Sequence, residues 1–133
     1  MHFRHEKTQM VYWVVSHCPT DNFREDYVQA LKKYINVDVY GDCGDLPCPN
    51  ARAGHDFCFD DLSLNHSFYL AFENSNCQDY VTEKFWRTLT KPVVPVVMGG
   101  ANYKQEAPPN SYIDVNDFDS VQDLAKYLTL LHS

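Results

Sequence analysis

Between Phe68 and Gly100 the sequence reads FYLAFENSNCQDYVTEKFWRTLTKPVVPVVMGG. The apolar run Phe68–Phe72 stops abruptly at Glu73-Asn74-Ser75. A helix-type segment opens at Thr82-Glu83-Lys84, and a second apolar run ends at Gly99-Gly100. Strand, polar loop, helix, strand is the order of a βαβ unit, and such units hold ligands at the carboxyl ends of their strands. Glu73, Asn74, Glu83 and Lys84 all fall there. A carboxylate beside a lysine at a helix start suits a polyhydroxylated, phosphorylated ligand.

The rest of the chain extends the same alternation. Met10–Val15 is a short, nearly continuous apolar run, the form of a strand covered on both faces. Asn22 can cap a helix to about Tyr34, whose apolar positions Phe23, Tyr27, Ala30, Leu31 and Tyr34 have helical spacing. Val37–Tyr40 is a second strand. Asp42 to Asp61 is rich in turn residues and cysteines, without a period, and is expected as a loop. Phe68–Phe72 is the third strand, and a helix is expected from Thr82 to Leu89, closed by Pro92. The fourth strand is placed at Pro95–Met98, because proline is tolerated at a strand's first residue. Tyr112–Val115 is a short fifth strand. Ser120-Val121-Gln122-Asp123 resembles a capping box, and Val121, Leu124, Ala125, Leu128 and Leu131 line one face of a last helix. Alternating strands and helices predict an α/β fold with a Rossmann-like parallel sheet flanked by helices. The glycine fingerprint of dinucleotide-binding proteins is absent.

The 133 residues suffice for one domain with one core. A net charge of -7 argues against a nucleic-acid backbone as partner, which needs a basic surface. It leaves room for a phosphate ligand held by a few placed cations. No apolar run is long enough to span a bilayer. Met1 to Met10 is charged and lacks the apolar centre of a signal peptide. Five cysteines occur, and three of them, Cys43, Cys48 and Cys58, lie in the irregular segment, which predicts disulfides and an oxidising compartment. Their spacings lack the close pairs of structural zinc sites, so no metal is expected. Asn65-His66-Ser67 fits the N-glycosylation acceptor pattern.

Each candidate site residue has a bland alternative. Lys84 and Glu83 stand in a helix's first turn, where backbone N–H groups favour an anion. On spacing alone, a solvated lysine beside a dipole-friendly glutamate fits better. Arg24 follows the first strand and could face the same crevice, so that two cations would suit a diphosphate. It could equally be a surface arginine paired with Asp21 or Glu25. Glu73 and Asn74 could simply form a turn, and Tyr80 could belong to the core.

Taken in order, VYWVVSHC, REDYVQALKKY, VDVYGDCG, FYLAFENS, DYVTEKFWR, VPVVMGG, PPNSYIDVNDF and DLAKYL closely resemble the α1,3-fucosyltransferases. The versions VYGDCG and AFENSNC look most like the invertebrate C-like members. The resemblance covers nearly everything after the first ten residues. It implies the donor-binding half of a two-domain GT-B glycosyltransferase: residues 1–10 as an extension, and residues 11–133 as the domain that holds GDP-fucose. The acceptor glycan and the catalytic carboxylate belong, in this family, to the other domain. Arg24 and Lys84 match the family's cations on the diphosphate. Asn74, Tyr80 and Glu83 match polar residues around the ribose and fucose, and Glu73 belongs to the same motif. The family's enzymes are Golgi membrane proteins facing the lumen. The chain is therefore expected to be a fragment without membrane anchor or acceptor domain, needing no tightly bound cofactor. Transfer of L-fucose from GDP-fucose to a glycan on a glycoprotein is the expected activity of the whole enzyme. A catalytically inactive nucleotide-sugar-binding module is the alternative, and a disulfide-stapled interaction domain is a third.

Overall fold

The computed structural model describes residues 8–14, 24–40, 46, 62–72, 88–98, 108 and 110–132. Five strands form one sheet: β1 (Gln9–Val14), β2 (Val37–Tyr40), β3 (His66–Phe72), β4 (Val94–Met98) and β5 (Ile113–Asp114). Their order is β2-β1-β3-β4-β5 and every pairing is parallel. Two α-helices have ranges among the described residues, α1 (Arg24–Leu31) and α2 (Val121–His132).

The apolar runs behave as a doubly covered sheet requires. Along β1 and β3 the side chains alternate between two cores. Val11, Trp13, Phe68, Leu70 and Phe72 enter one, together with Val28 and Leu31 of α1 and Leu124, Ala125 and Leu128 of α2. Tyr12, Val14, Tyr69, Ala71 and Val97 enter the other, with Leu62 and Val93. All seven residues of β3 are buried. Water reaches neither face, which is why the strands lack a polar alternation.

The element boundaries differ from expectation for identifiable reasons. β3 begins two residues before Phe68, because His66 and Ser67 are polar yet buried and bonded. His66 places Nε2 2.9 Å from Asp38 Oδ2 and Nδ1 2.9 Å from Leu62 O. Ser67 Oγ lies 2.6 Å from His132 Nδ1. β4 begins at Val94, with Pro95 inside it, and β5 pairs only with Val96 and Val97. Among the described residues β5 offers no partner opposite Pro95, and a proline is tolerated where a ladder is incomplete. β5 is shorter than expected because Asp114 turns its carboxylate onto Asn116 N–H at 2.9 Å and starts a 3-10 turn at Val115. Ser120 Oγ accepts from Asp123 N–H at 3.1 Å, the cap expected for α2. α1 ends at Leu31, where Lys33 and Tyr34 shift to tighter i→i−3 bonds with Ala30 and Leu31. Of the helix expected from Thr82 to Leu89, only Thr88, which is helical, and Leu89, in the turn after it, are described. Asn22, Val15 and all of the cysteine-bearing loop except Leu46 lie outside the described residues; Leu46 forms a parallel bridge with Tyr40 at the end of β2, its N–H bonding Val39 O at 3.1 Å.

Candidate functional site

In a parallel sheet of order 2-1-3-4-5, the chain leaves β1 toward one edge and β3 toward the other. At such a switch point a ligand crevice is expected between the carboxyl ends of β1 and β3. Arg24 marks that place. It is the first residue of α1 and only 4% exposed. Its Nη1 donates to the carbonyl of Phe72, the last residue of β3, at 3.1 Å. The guanidinium carbon lies 5.2 Å from the ring centroid of Trp13 on β1. Nε is 3.3 Å from Glu25 Oε1, an ion pair without the alignment of a hydrogen bond. One side chain thus links α1, β1 and β3 where a ligand crevice is expected.

The surroundings explain how a cation is kept there. Trp13 and Phe72 meet edge-on at 6.0 Å, and Tyr27 sets its edge against Phe72 at 5.9 Å. Aromatic faces attract a guanidinium, while the carbonyl and carboxylate offset its loss of water. Burial pushes the Tyr27 hydroxyl above its ordinary value. At the carboxyl end of β2, burial and then Asp38 do the same to Tyr40.

Arg24 is the only predicted site residue among those described. The structure pairs it with Glu25, but not as a surface arginine: it is buried against the strand ends. Glu73 and Asn74 follow Phe72 in sequence, and they, Tyr80, Glu83 and Lys84 lie outside the described residues. Gly99 and Gly100, after β4, do so too. In sequence, Trp13, Tyr27 and Phe72 are indistinguishable from ordinary core, and only strand pairing makes them a seat for Arg24. The buried His66–Asp38 pair is equally invisible in sequence; Tyr12 and Tyr40 rings lie 4.8 and 6.3 Å from its imidazole. That pair lies toward the amino end of the sheet, away from the crevice, and its role is structural.

Among the described residues no helix is long and apolar enough to cross a membrane. Residues 4–133 match the family described as glycosyltransferase family 10 (fucosyltransferase) C-term. Similar proteins include alpha-(1,3)-fucosyltransferase C of Drosophila melanogaster, 47% identical over 125 residues, which cover 94% of this chain and 29% of that protein. Glycoprotein 3-alpha-L-fucosyltransferase A of the same organism is 48% identical over 128 residues, covering 94% and 25%. The Caenorhabditis elegans alpha-(1,3)-fucosyltransferase fut-1 is 42% identical over 120 residues, covering 90% and 27%. The chain therefore spans less than a third of the length of these curated relatives. Among solved structures, an alpha1,3-fucosyltransferase with GDP-fucose superposes with a TM-score of 0.79 at 25% identity, over 98% of this chain and 36% of that one. Its counterpart with GDP gives 0.78 at 22% identity, over the same shares.

Proposed function

The chain belongs to glycosyltransferase family 10, and from that premise we propose that residues 11–133 are the GDP-fucose-binding domain of a GT-B α1,3-fucosyltransferase. Of residues 1–10, expected as an extension, Gln9 and Met10 already belong to β1, and Gln9 pairs with His66. The observation that carries the proposal is the buried Arg24 at the β1/β3 switch point, in a chain whose family match runs from residue 4 to 133. A solved relative of the same fold is described with GDP-fucose.

In the proposed reaction, L-fucose passes from GDP-fucose to a hydroxyl of a glycoprotein glycan with inversion at the anomeric carbon. A carboxylate base outside these 133 residues takes the acceptor's proton. GDP leaves with negative charge growing on the bridging oxygen, and Arg24 and Lys84 stabilise that charge. Cations fixed before the reaction do so without reorganising, which is the strongest way to lower such a barrier. Arg24 is already fixed by Phe72 O, Trp13 and Glu25. Asn74, Tyr80, Glu83 and Glu73 would line the ribose and fucose. The donor is a substrate, and neither a tightly bound cofactor nor a protein-bound metal enters this scheme. The enzyme works on the luminal side of the Golgi membrane, where the cysteine-rich loop is oxidised.

The polypeptide of 133 residues by itself binds donor without transferring fucose. Acceptor and base must be oriented against the donor, a contribution of about 7–11 kcal/mol for well-placed groups. Incubation with labelled GDP-fucose and a panel of glycans tests this. No product from the chain, and product from the complete gene product, is the expected result. Turnover by the chain at the rate of the complete enzyme would show that the domain boundary is wrong. Absence of product from both would favour an inactive nucleotide-sugar-binding module.

A further inference from the structure

We infer that Asn65 is an N-glycosylation site whose glycan is attached before the sheet closes around the acceptor tripeptide Asn65-His66-Ser67. The inference rests on the luminal location proposed above. Asn65 is exposed at the end of the turn that feeds β3. Its N–H bonds Leu62 O at 3.2 Å, and its carbonyl accepts from Gln9 N–H at 3.1 Å. The backbone is thus tied down while the side chain faces water, which is where a bulky, hydrated modification is tolerated. β3 then runs seven residues to Phe72. At about 3.3 Å per residue, Asn65 lies roughly 20 Å from the end where Arg24 sits. A glycan there leaves the donor crevice open.

The chemistry is a group transfer from a lipid-linked oligosaccharide. Asn65 Nδ2 forms a bond to the anomeric carbon of the first sugar. The bond from that carbon to the lipid diphosphate oxygen breaks, the amide gives up one proton, and the lipid diphosphate leaves with the electron pair.

The folded protein withholds the other two residues of the pattern. Ser67 is 7% exposed, and its Oγ lies 2.6 Å from His132 Nδ1 in the last turn of α2. His66 is 2% exposed, is paired with Asp38, and sits in register with Gln9 in the sheet. A transferase that reads the serine hydroxyl must therefore reach it earlier. His132 is 65 residues beyond Ser67. At about 5–20 residues per second that interval lasts roughly 3–13 s, during which α2 cannot yet be docked.

The test uses the complete gene product that carries this sequence, with a reporter acceptor tripeptide added at its C-terminus, made in a eukaryotic secretory host. Mass spectrometry of the Asn65 peptide, before and after enzymatic release of glycans, gives the readout. Expected are glycan on Asn65 and on the reporter, loss of the Asn65 glycan alone in Asn65→Gln, and unchanged GDP affinity in that variant. A glycosylated reporter beside a bare Asn65 overturns the inference and leaves the luminal reading standing. A bare reporter and a bare Asn65 overturn both. For the order of events, folded protein made in bacteria is incubated with microsomes holding the transferase and its lipid-linked donor. It should stay unmodified while a synthetic peptide spanning residues 62–70 is glycosylated. Modification of the folded protein would overturn the claim that attachment precedes folding.

Discussion

Arg24 illustrates how much a single side chain depends on partners far away in sequence. Its carbonyl partner, Phe72, is 48 residues on, and its aromatic partner belongs to the strand before it. From sequence alone it could be a surface charge or a phosphate ligand, and nothing local decides between them. Placement at the strand ends shows why it is buried. Arg24→Ala removes a charged hydrogen bond and the contact with Trp13, and should lower the free energy of unfolding by about 1.5–3 kcal/mol. Arg24→Lys keeps the charge but not the planar stack, so it should recover only part of that loss in urea titrations. The His66–Asp38 pair makes a parallel case. Both imidazole nitrogens face acceptors, Leu62 O and the Asp38 carboxylate, and truncation leaves them unmatched. His66→Ala should destabilise by about 1–3 kcal/mol, the cost of leaving buried hydrogen-bond partners unmatched, and a double-mutant cycle with Asp38→Asn should show coupling. Independent, additive losses would mean that the pair is incidental. In the sequence His66 was visible only as the middle of an acceptor tripeptide, because burial of a polar residue cannot be seen before its partner is known.

The elements were legible where apolar runs or helical spacing were unbroken, as in β1, β2, the body of β3, and α2. They were misjudged where a polar residue was satisfied by a distant partner, as at the start of β3, or where a side chain cut the strand short, as Asp114 does to β5. α2 shows the legible case. Leu124, Ala125 and Leu128 are buried against the face that α1 shares, whereas Leu130 is 72% exposed. Leu128→Ala should cost about 2–5 kcal/mol, the range for a leucine cut from a core. Leu130→Ala should change stability by no more than about 0.5 kcal/mol. Chemical denaturation of the two variants side by side checks the register of the helix. Equal losses would mean that α2 is rotated from the placement described.

For the whole molecule, the sheet order was not legible at all. Alternating strands and helices predict a parallel sheet, but β2-β1-β3-β4-β5 appears only with the pairings, and the switch point appears with it. Burial also sets an alkaline limit. An unperturbed tyrosine ionises near pH 10.0, and Tyr27, Tyr40 and Tyr112 are all raised above it, each first by burial. Asp38 adds to Tyr40, and Asp114 and then Asp117 add to Tyr112. Above that pH the unfolded chain loses phenolic protons that the folded chain retains. Folded protein then binds more protons than unfolded, so stability falls as pH rises. The three groups' contribution is intact below their unfolded value and lost as pH climbs through the folded ones. Denaturation midpoints should drop above pH 10, and less steeply in Tyr27→Phe. A flat profile there would contradict the burial of these rings.

The central claim is that the carboxyl edge of this sheet holds a nucleoside diphosphate between Arg24 and Lys84. Calorimetric titration of GDP into the 133-residue chain tests it most directly, with Arg24→Ala, Lys84→Ala and Lys104→Ala titrated in parallel at a temperature where all are folded. The account predicts saturable binding by the native chain, a loss of about ten- to hundredfold in each of the first two variants, and near-native affinity in Lys104→Ala. No saturable binding by the native chain, or equal losses in Lys84→Ala and Lys104→Ala, would contradict it.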